Sequence, residues 1–115
     1  MMKHEMKIRA IYFDKIKRGE KIYEVRLNDE KRQLIDVGDV IVLKKEPELC
    51  EELFVEVKDL IYFDSFAEMV NTLPKEKVGF AEMKNEAIVD VYHQFYTPEA
   101  EKKHGVVAIN VQVLK

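Results

Sequence analysis

Three charged side chains lie close together in the sequence and are of the types that bind or transform a polar ligand. Lys21, Glu24 and Arg26 fall within six residues. A lysine holds phosphate as a point charge, or acts as base or nucleophile where burial lowers its pKa. Glu24 and Arg26 are two residues apart, so their side chains leave the same face of a strand. Arg26 offers a planar fork that fits a phosphate or a carboxylate, and Glu24 would orient that fork.

Each of these residues also has a purely structural interpretation. Lys21 follows Glu20 and can be a solvated surface lysine, as most lysines are. Glu24 and Arg26 alternate with apolar residues, which is also the pattern of an amphipathic strand with one solvated, ion-paired face. The residues alone leave both interpretations open.

A helix and a strand must position these three side chains. Residues 11–18 place apolar side chains on one helical face, and Phe13 is expected in the core. Basic residues and then Gly19 predict the end of this helix. Residues 21–27 are rich in β-formers and predict a strand. A turn at Gly38-Asp39 precedes a buried strand over residues 40–43.

The second half of the chain changes to a helical period. Residues 53–62 predict one or two strands, after which Ser65 and Glu68 form a capping box. An apolar stripe over residues 87–95 and a Thr97-Pro98 start predict two further helices. Residues 106–114 predict a final strand. Strands at both ends and in the middle, with helices clustered between them, indicate a single α+β domain over residues 1–115.

The charge distribution locates any contact with phosphate in the N-terminal half. The net charge of the chain is −3, which argues against a general nucleic-acid binder. Residues 1–45 carry 12 Lys+Arg and 8 Asp+Glu, a net charge of +4, whereas residues 46–115 carry 7 and 14, a net charge of −7. The basic residues of this half, with aromatic residues among them, predict an electropositive rim that binds phosphates and stacks bases. The alternative is that they are ordinary solvated side chains. The residues are Lys15, Lys17, Arg18, Lys21, Arg26, Lys31, Arg32, Lys44 and Lys45, with Tyr12, Phe13 and Tyr23.

The remaining composition argues against several other classes of protein. A single cysteine, Cys50, disfavours disulfides and a cysteine-based zinc site, and three scattered histidines do not form a metal triad. His93 is expected to be exposed beside the apolar stripe of residues 87–95, and the alternative is that it faces a binding cleft. The chain lacks both the apolar run of about 18 residues that spans a membrane and a recognisable signal sequence. We therefore expect a cytoplasmic protein without metal, cofactor or membrane contact.

Four motifs in order resemble an ASCH domain, a family of the PUA-like group. Three resemble its start: the helix, glycine and lysine of residues 12–21 (YFDKIKRGEK), the E-x-R strand at 24–26 and the G-D-x-I turn at 38–41. The fourth, the closing strand at 105–113, is similar to the family's last barrel strand. The resemblance implies a mixed, PUA-like/ASCH β-barrel of about five to six strands with flanking helices. It also implies a cleft beside the first helix and second strand.

The resemblance to this family implies two possible functions for the cleft. The family is proposed to bind RNA, which makes RNA or a nucleotide-like ligand the expected partner, held by Lys15, Lys17, Arg18, Lys21, Tyr23 and Arg26. Some small bacterial members are amidohydrolases that remove the acetyl group of N4-acetylcytidine, and Lys21 falls on their catalytic lysine.

The sequence departs from the hydrolase pattern at two positions. Ile22 and Glu24 stand where those members have threonines. Their catalytic glutamate corresponds best to Glu76, with Glu82 as second choice, so the candidate catalytic set is Lys21, Glu24 and Glu76. We expect a binding module, with the amidohydrolase as alternative. A third possibility is an interaction domain whose acidic C-terminal half meets a basic protein.

Overall fold

The computed structural model describes all residues, 1–115, and shows an α+β fold with a five-stranded sheet and five α-helices. The elements in chain order are β1 (Lys3–Ile8), α1 (Ala10–Lys17), β2 (Tyr23–Leu27), β3 (Val40–Lys45), β4 (Glu52–Phe63), α2 (Phe66–Thr72), α3 (Lys75–Val78), α4 (Asn85–His93), α5 (Pro98–His104) and β5 (Val106–Val113), with a 3-10 turn at Arg32–Leu34. The predicted α+β class is confirmed. No helix has the length and apolar character needed to cross a membrane.

The sheet curls into a half-barrel whose two edge strands face each other. Its strand order is β1-β3-β4-β5-β2, with β1 parallel to β3 and all other pairs antiparallel. No backbone ladder joins β1 to β2. Instead, Nη2 of Arg26 on β2 donates to the carbonyl oxygen of Lys7 on β1 at 2.8 Å. A side chain therefore bridges the gap that the backbone leaves open.

The central strand β5 is buried on both faces, which joins the two halves of the core. Val107, Ile109 and Val111 face a cluster with α1 and β1, as the alternation of the sequence predicts. Val106 and Ala108 face the opposite cluster, which the helices after β4 cover. A strand covered on both faces reads as a continuous apolar run, as residues 106–109 do.

Helix α1 ends as its sequence predicts. Gly19 adopts φ +81°, a left-handed conformation that suits a residue without Cβ at the end of a helix. Phe13 and Ile16 are fully buried beneath the sheet. The tight turn brings the backbone N–H of Lys21 to the carbonyl of Lys15 at 3.2 Å and so begins the approach to β2.

Residues 52–63 form one long strand, in agreement with the one or two strands predicted, with a register irregularity between Val57 and Asp59. Two local features differ from expectation. Ser65 accepts from the N–H of Glu68 at 3.1 Å, but the Glu68 carboxylate returns to Asp64 N rather than to Ser65. Helix α4 ends at His93, so Phe95 leaves the predicted apolar stripe and is 58% exposed.

Asp39 fixes the turn before β3 to the N-terminal strand. Its carboxylate accepts from the N–H of Met2 at 2.9 Å and of Asp36 at 3.0 Å, and lies 2.8 Å from His4 Nε2. These bonds, from Met2 first, then His4 and Asp36, lower the pKa of Asp39 from 3.8 to about 2.

Candidate ligand-binding site

Lys21 is a buried residue at the base of a cavity, and the surface interpretation is excluded. The side chain is 3% exposed. Its Nζ donates to the carbonyl oxygens of Tyr23 at 2.6 Å and Val78 at 2.8 Å, and lies 3.2 Å from Oε1 of Glu24. Burial lowers the pKa of Lys21, which the Glu24 carboxylate opposes. Three acceptors thus surround Nζ, as many as the hydrogens of an ammonium group.

Glu24 joins Lys21 to Arg26 in a continuous charged relay. Oε2 of Glu24 lies 2.6 Å from Nε of Arg26, and Glu24 is 7% exposed. Burial alone would raise the pKa of Glu24, but Arg26 and then Lys21 outweigh it and lower that pKa. Glu24 is therefore ionised at neutral pH. The predicted pair exists, but it is buried rather than on a solvated face.

A cavity of about 180 Å³ opens beside this relay, where the half-barrel fails to close. Strands β1 and β2, the start of α1 and the end of α4 surround it. Its lining consists of five aromatic residues, four cations, two carboxylates and three aliphatic residues: Tyr12, Phe80, Tyr92, Phe95 and Tyr96; Lys7, Arg9, Lys21 and Arg26; Glu24 and Glu46; Ile8, Val25 and Val91.

The aromatic walls of the cavity are held by contacts among themselves. Phe80 packs at 5.4 Å from Tyr12 and edge-on at 5.8 Å from Tyr92. Phe66, behind the wall, stacks on Tyr92 at 4.5 Å and on Tyr96 at 5.6 Å. Such offset and edge-to-face pairs fix ring orientation. Burial raises the pKa of Tyr12 and, more strongly, of Tyr92, so both phenols stay neutral and can donate hydrogen bonds.

Only part of the predicted ligand-binding set lies at the cavity, namely Lys21 and Arg26. Lys15 donates to the carbonyl of Gly79 at 2.9 Å, Lys17 pairs with Glu51, and Arg18 pairs with Glu20. None of these three lines the cavity. Tyr23 contributes its backbone carbonyl to Lys21, while its ring packs against the helical half of the core.

The other basic residues of the predicted rim are mostly engaged in ion pairs. Lys44 lies 3.4 Å from Glu5, Lys45 lies 2.9 Å from Asp14, and Arg32 lies 3.8 Å from Asp29. Phe13 is core and is not available to stack a base. The positive charge at the site is thus local to the cavity and does not extend as a rim.

Of the candidate acidic residues, only Glu24 lines the cavity. Glu76 lies on α3 and is exposed, and Glu82 is exposed in the loop that follows. The second carboxylate at the cavity is Glu46, directly after β3. His93 does not face the cleft; its Nε2 lies 2.8 Å from Oε1 of Glu101.

Sequence reasoning missed most of the wall. The apolar stripe predicted over residues 87–95 contains Tyr92 and Phe95 but does not indicate a cavity, and Arg9 stands alone between a strand and a helix. Arg9 places its guanidinium 5.3 Å from the ring centre of Phe95, at the mouth of the cavity. The feature of the sequence that indicates this wall is the number of aromatic residues within 92–96, which is more than one helical face needs.

The structure is that of a small α+β domain, a half-barrel with an aromatic and charged cleft between its edge strands. A family model described as "ASCH domain" matches residues 6–115. The chain belongs to the ASCH domain family, as the four sequence motifs predict.

The chain is also similar to solved structures along nearly its whole length. The crystal structure of hypothetical protein PH0355 is 41% identical, with 98% of this chain and 100% of that chain covered and a TM-score of 0.89. The solution structure of protein PF0455 from Pyrococcus furiosus is 36% identical, with 100% and 99% covered and a TM-score of 0.73.

More distant structures share the fold alone. The S128A mutant of the ASCH protein from Zymomonas mobilis is 16% identical, with 94% of this chain and 66% of that chain covered and a TM-score of 0.62. An ASCH domain from Lactobacillus crispatus is 15% identical, with 97% and 79% covered and a TM-score of 0.62. No curated protein matches the sequence at a significant level.

Proposed function

We propose that this chain is a binding module that holds one base of an RNA or nucleotide-like ligand in the cavity beside Lys21, Glu24 and Arg26. The observation that carries the proposal is the meeting of aromatic walls with a fixed charged relay in one small cleft. A nucleobase has a π-face that packs on aromatic rings and an edge that pairs with polar groups.

The relay retains hydrogen-bonding capacity for such an edge. Arg26 uses Nε for Glu24 and one hydrogen of Nη2 for Lys7, which leaves three of its five N–H groups. Each oxygen of Glu24 accepts one bond from a cation and has a second lone pair. A ligand edge that carries both a donor and an acceptor would satisfy both residues.

The local charge also favours a ligand with a phosphate. The cavity is lined by four cations and two carboxylates, a net charge of +2 (4 − 2) within a chain of net charge −3. A cleft of one sign with apolar walls concentrates its field and attracts a ligand of the opposite sign.

The test is a titration of the wild type and an Arg26→Gln variant with each of the four ribonucleoside 5′-monophosphates. We expect about tenfold weaker binding or more for the variant, because a hydrogen bond to a charged group contributes roughly 1.5–3 kcal/mol. Lys17→Gln is the matched control, since it removes one positive charge outside the cavity. Circular dichroism checks the fold of both variants. Equal affinity of the wild type and a folded Arg26→Gln variant would exclude the proposed site.

The alternative function is hydrolysis of an acylated nucleoside such as N4-acetylcytidine. It is favoured by a buried lysine with a lowered pKa that lies 3.2 Å from a buried carboxylate. Three observations oppose it: the ammonium hydrogens of Lys21 are all engaged, Ile22 and Glu24 replace the threonines of the hydrolase pattern, and Glu76 is remote from the cavity.

Turnover separates the two functions, since a binder consumes nothing. Purified protein is incubated with N4-acetylcytidine, and release of acetate and cytidine is followed by chromatography, with Lys21→Met alongside. The binding module predicts no release by folded wild type. Release by the wild type that Lys21→Met abolishes would establish the hydrolase instead.

A further inference from the structure

The mouth of the cavity carries an aromatic ring that the core does not need. Phe95 follows the end of α4 and is 58% exposed, although it is a large apolar side chain. The guanidinium of Arg9 lies 5.3 Å from its ring centre. An exposed aromatic ring flanked by a cation is the arrangement on which proteins stack bases of single-stranded nucleic acids.

Two cations at the same mouth have no carboxylate partner. Neither Arg9 nor the ammonium of Lys7 takes part in an ion pair of the structure. Both residues are exposed, whereas most basic residues of the N-terminal half are paired. Unpaired cations beside an aromatic ring are suited to the phosphates of a chain that passes over the mouth.

The size of the cavity separates the inner site from this outer one. Its volume of about 180 Å³ is below the range of roughly 300–1,000 Å³ that encloses a drug-sized ligand. The inner cleft therefore accommodates a group the size of a base, and the sugar and phosphate of the same nucleotide must remain outside. They would then lie at the mouth, beside Arg9, Lys7 and Phe95.

We infer that Phe95 and Arg9 form a second subsite, so that the preferred ligand is a single-stranded oligonucleotide rather than a free nucleotide. One base occupies the cavity, the adjoining phosphate lies against Arg9 and Lys7, and the next base stacks on Phe95. This inference rests on the proposed function. A paired base has its polar edge occupied, so the inner site requires an unpaired strand.

The experiment compares uridine and adenosine 5′-monophosphates with homopolymeric U and A RNA hexamers, for the wild type and Phe95→Ala. Base–aromatic stacking corresponds to roughly 5- to 150-fold in affinity. We expect the wild type to bind a hexamer at least about fivefold more tightly than the matching monophosphate. We expect Phe95→Ala to reduce that advantage of the hexamer over the monophosphate to less than about twofold, because only the hexamer has a next base to stack on Phe95.

Phe54→Ala is the matched control. Phe54 is also an exposed phenylalanine, 41% exposed, with the ammonium of Lys3 at 5.4 Å from its ring, but it does not line the cavity. We expect no effect of Phe54→Ala on either ligand.

The outcomes distinguish this inference from the proposed function. Monophosphate binding without a gain for the hexamer, or a hexamer gain that survives Phe95→Ala, overturns the second subsite and leaves the inner site standing. If none of these probes binds, both the second subsite and the proposed function are overturned. Arg9→Gln adds an independent readout, since loss of one phosphate contact reduces the slope of log affinity against log salt by about 0.7.

Discussion

At the scale of single residues, the charged side chains of the site differ in whether their hydrogen-bonding groups are free to contact a ligand. Lys21 has all its hydrogens engaged by Tyr23, Val78 and Glu24, so it acts through its neighbours. Arg26 retains free N–H groups and lines the cavity. We therefore propose that Lys21 positions the Glu24–Arg26 pair and that Arg26 touches the ligand.

This assignment predicts that Lys21→Met destabilises the fold. Methionine fills much of the volume but leaves the carbonyl of Val78 without its donor and Glu24 with one cation fewer. Removal of one partner of a buried ion pair costs about 3–5 kcal/mol, so chemical denaturation should show a loss of about 3 kcal/mol.

The matched control for that prediction is Lys15→Met, which removes a single hydrogen bond to the carbonyl of Gly79. We expect a loss near 1 kcal/mol for this variant. Equal effects of the two substitutions would show that the Lys21 relay has no special structural role.

At the scale of secondary-structure elements, the features that the sequence predicts best are those that depend on local pattern. The end of α1 at Gly19 and the inward face of β5 followed from a stop signal and from strand alternation. The cavity wall could not be predicted in this way. The apolar period of a helix shows which face points inward, but not whether that face packs in the core or lines a cavity. Tyr92 is such a case, since it packs against Phe66 and also lines the cavity.

The remaining misses concern residues that are distant in the sequence. Arg9, Glu46 and Phe95 meet only because the curled sheet brings β1, the end of β3 and the end of α4 to one place. Glu76 lies in the helical region before the last strand, where the family pattern places the catalytic glutamate, but the short helix α3 holds it on the surface. Family motifs located the inner charged residues, and tertiary structure alone located the wall.

The turn directly before β3 gives a prediction for pH dependence. Asp39 has its pKa lowered from 3.8 to about 2, so its contribution to stability is complete above pH about 4 and is lost as the pH falls toward 2. Asp39→Asn should be less stable than the wild type at pH 6. The difference between the two proteins should shrink at pH 2.5, where urea denaturation measures it. A difference that is the same at both pH values would show that the Asp39 charge is not what stabilises the turn.

At the scale of the whole molecule, the fold places its site where the sheet cannot close. The edge strands β1 and β2 have no backbone ladder between them, and Arg26 spans the gap to Lys7. Arg26 thus joins the edges and lines the cleft, so we propose that a ligand that contacts Arg26 also affects closure of the half-barrel. Glu46 alone among the acidic residues of 46–115 lines this local positive site, and we expect the acidic excess elsewhere to restrict binding to a short segment of a strand.

The most direct test of the account is a nuclear magnetic resonance titration of isotopically labelled protein with a ribonucleoside 5′-monophosphate. We predict that the largest shift changes occur at the Arg26 Nε–H and at the backbone amides of Arg9, Tyr92 and Phe95, around the cavity. Shift changes confined to a different surface, such as the basic end of α5 at Lys102 and Lys103, would contradict the proposed site.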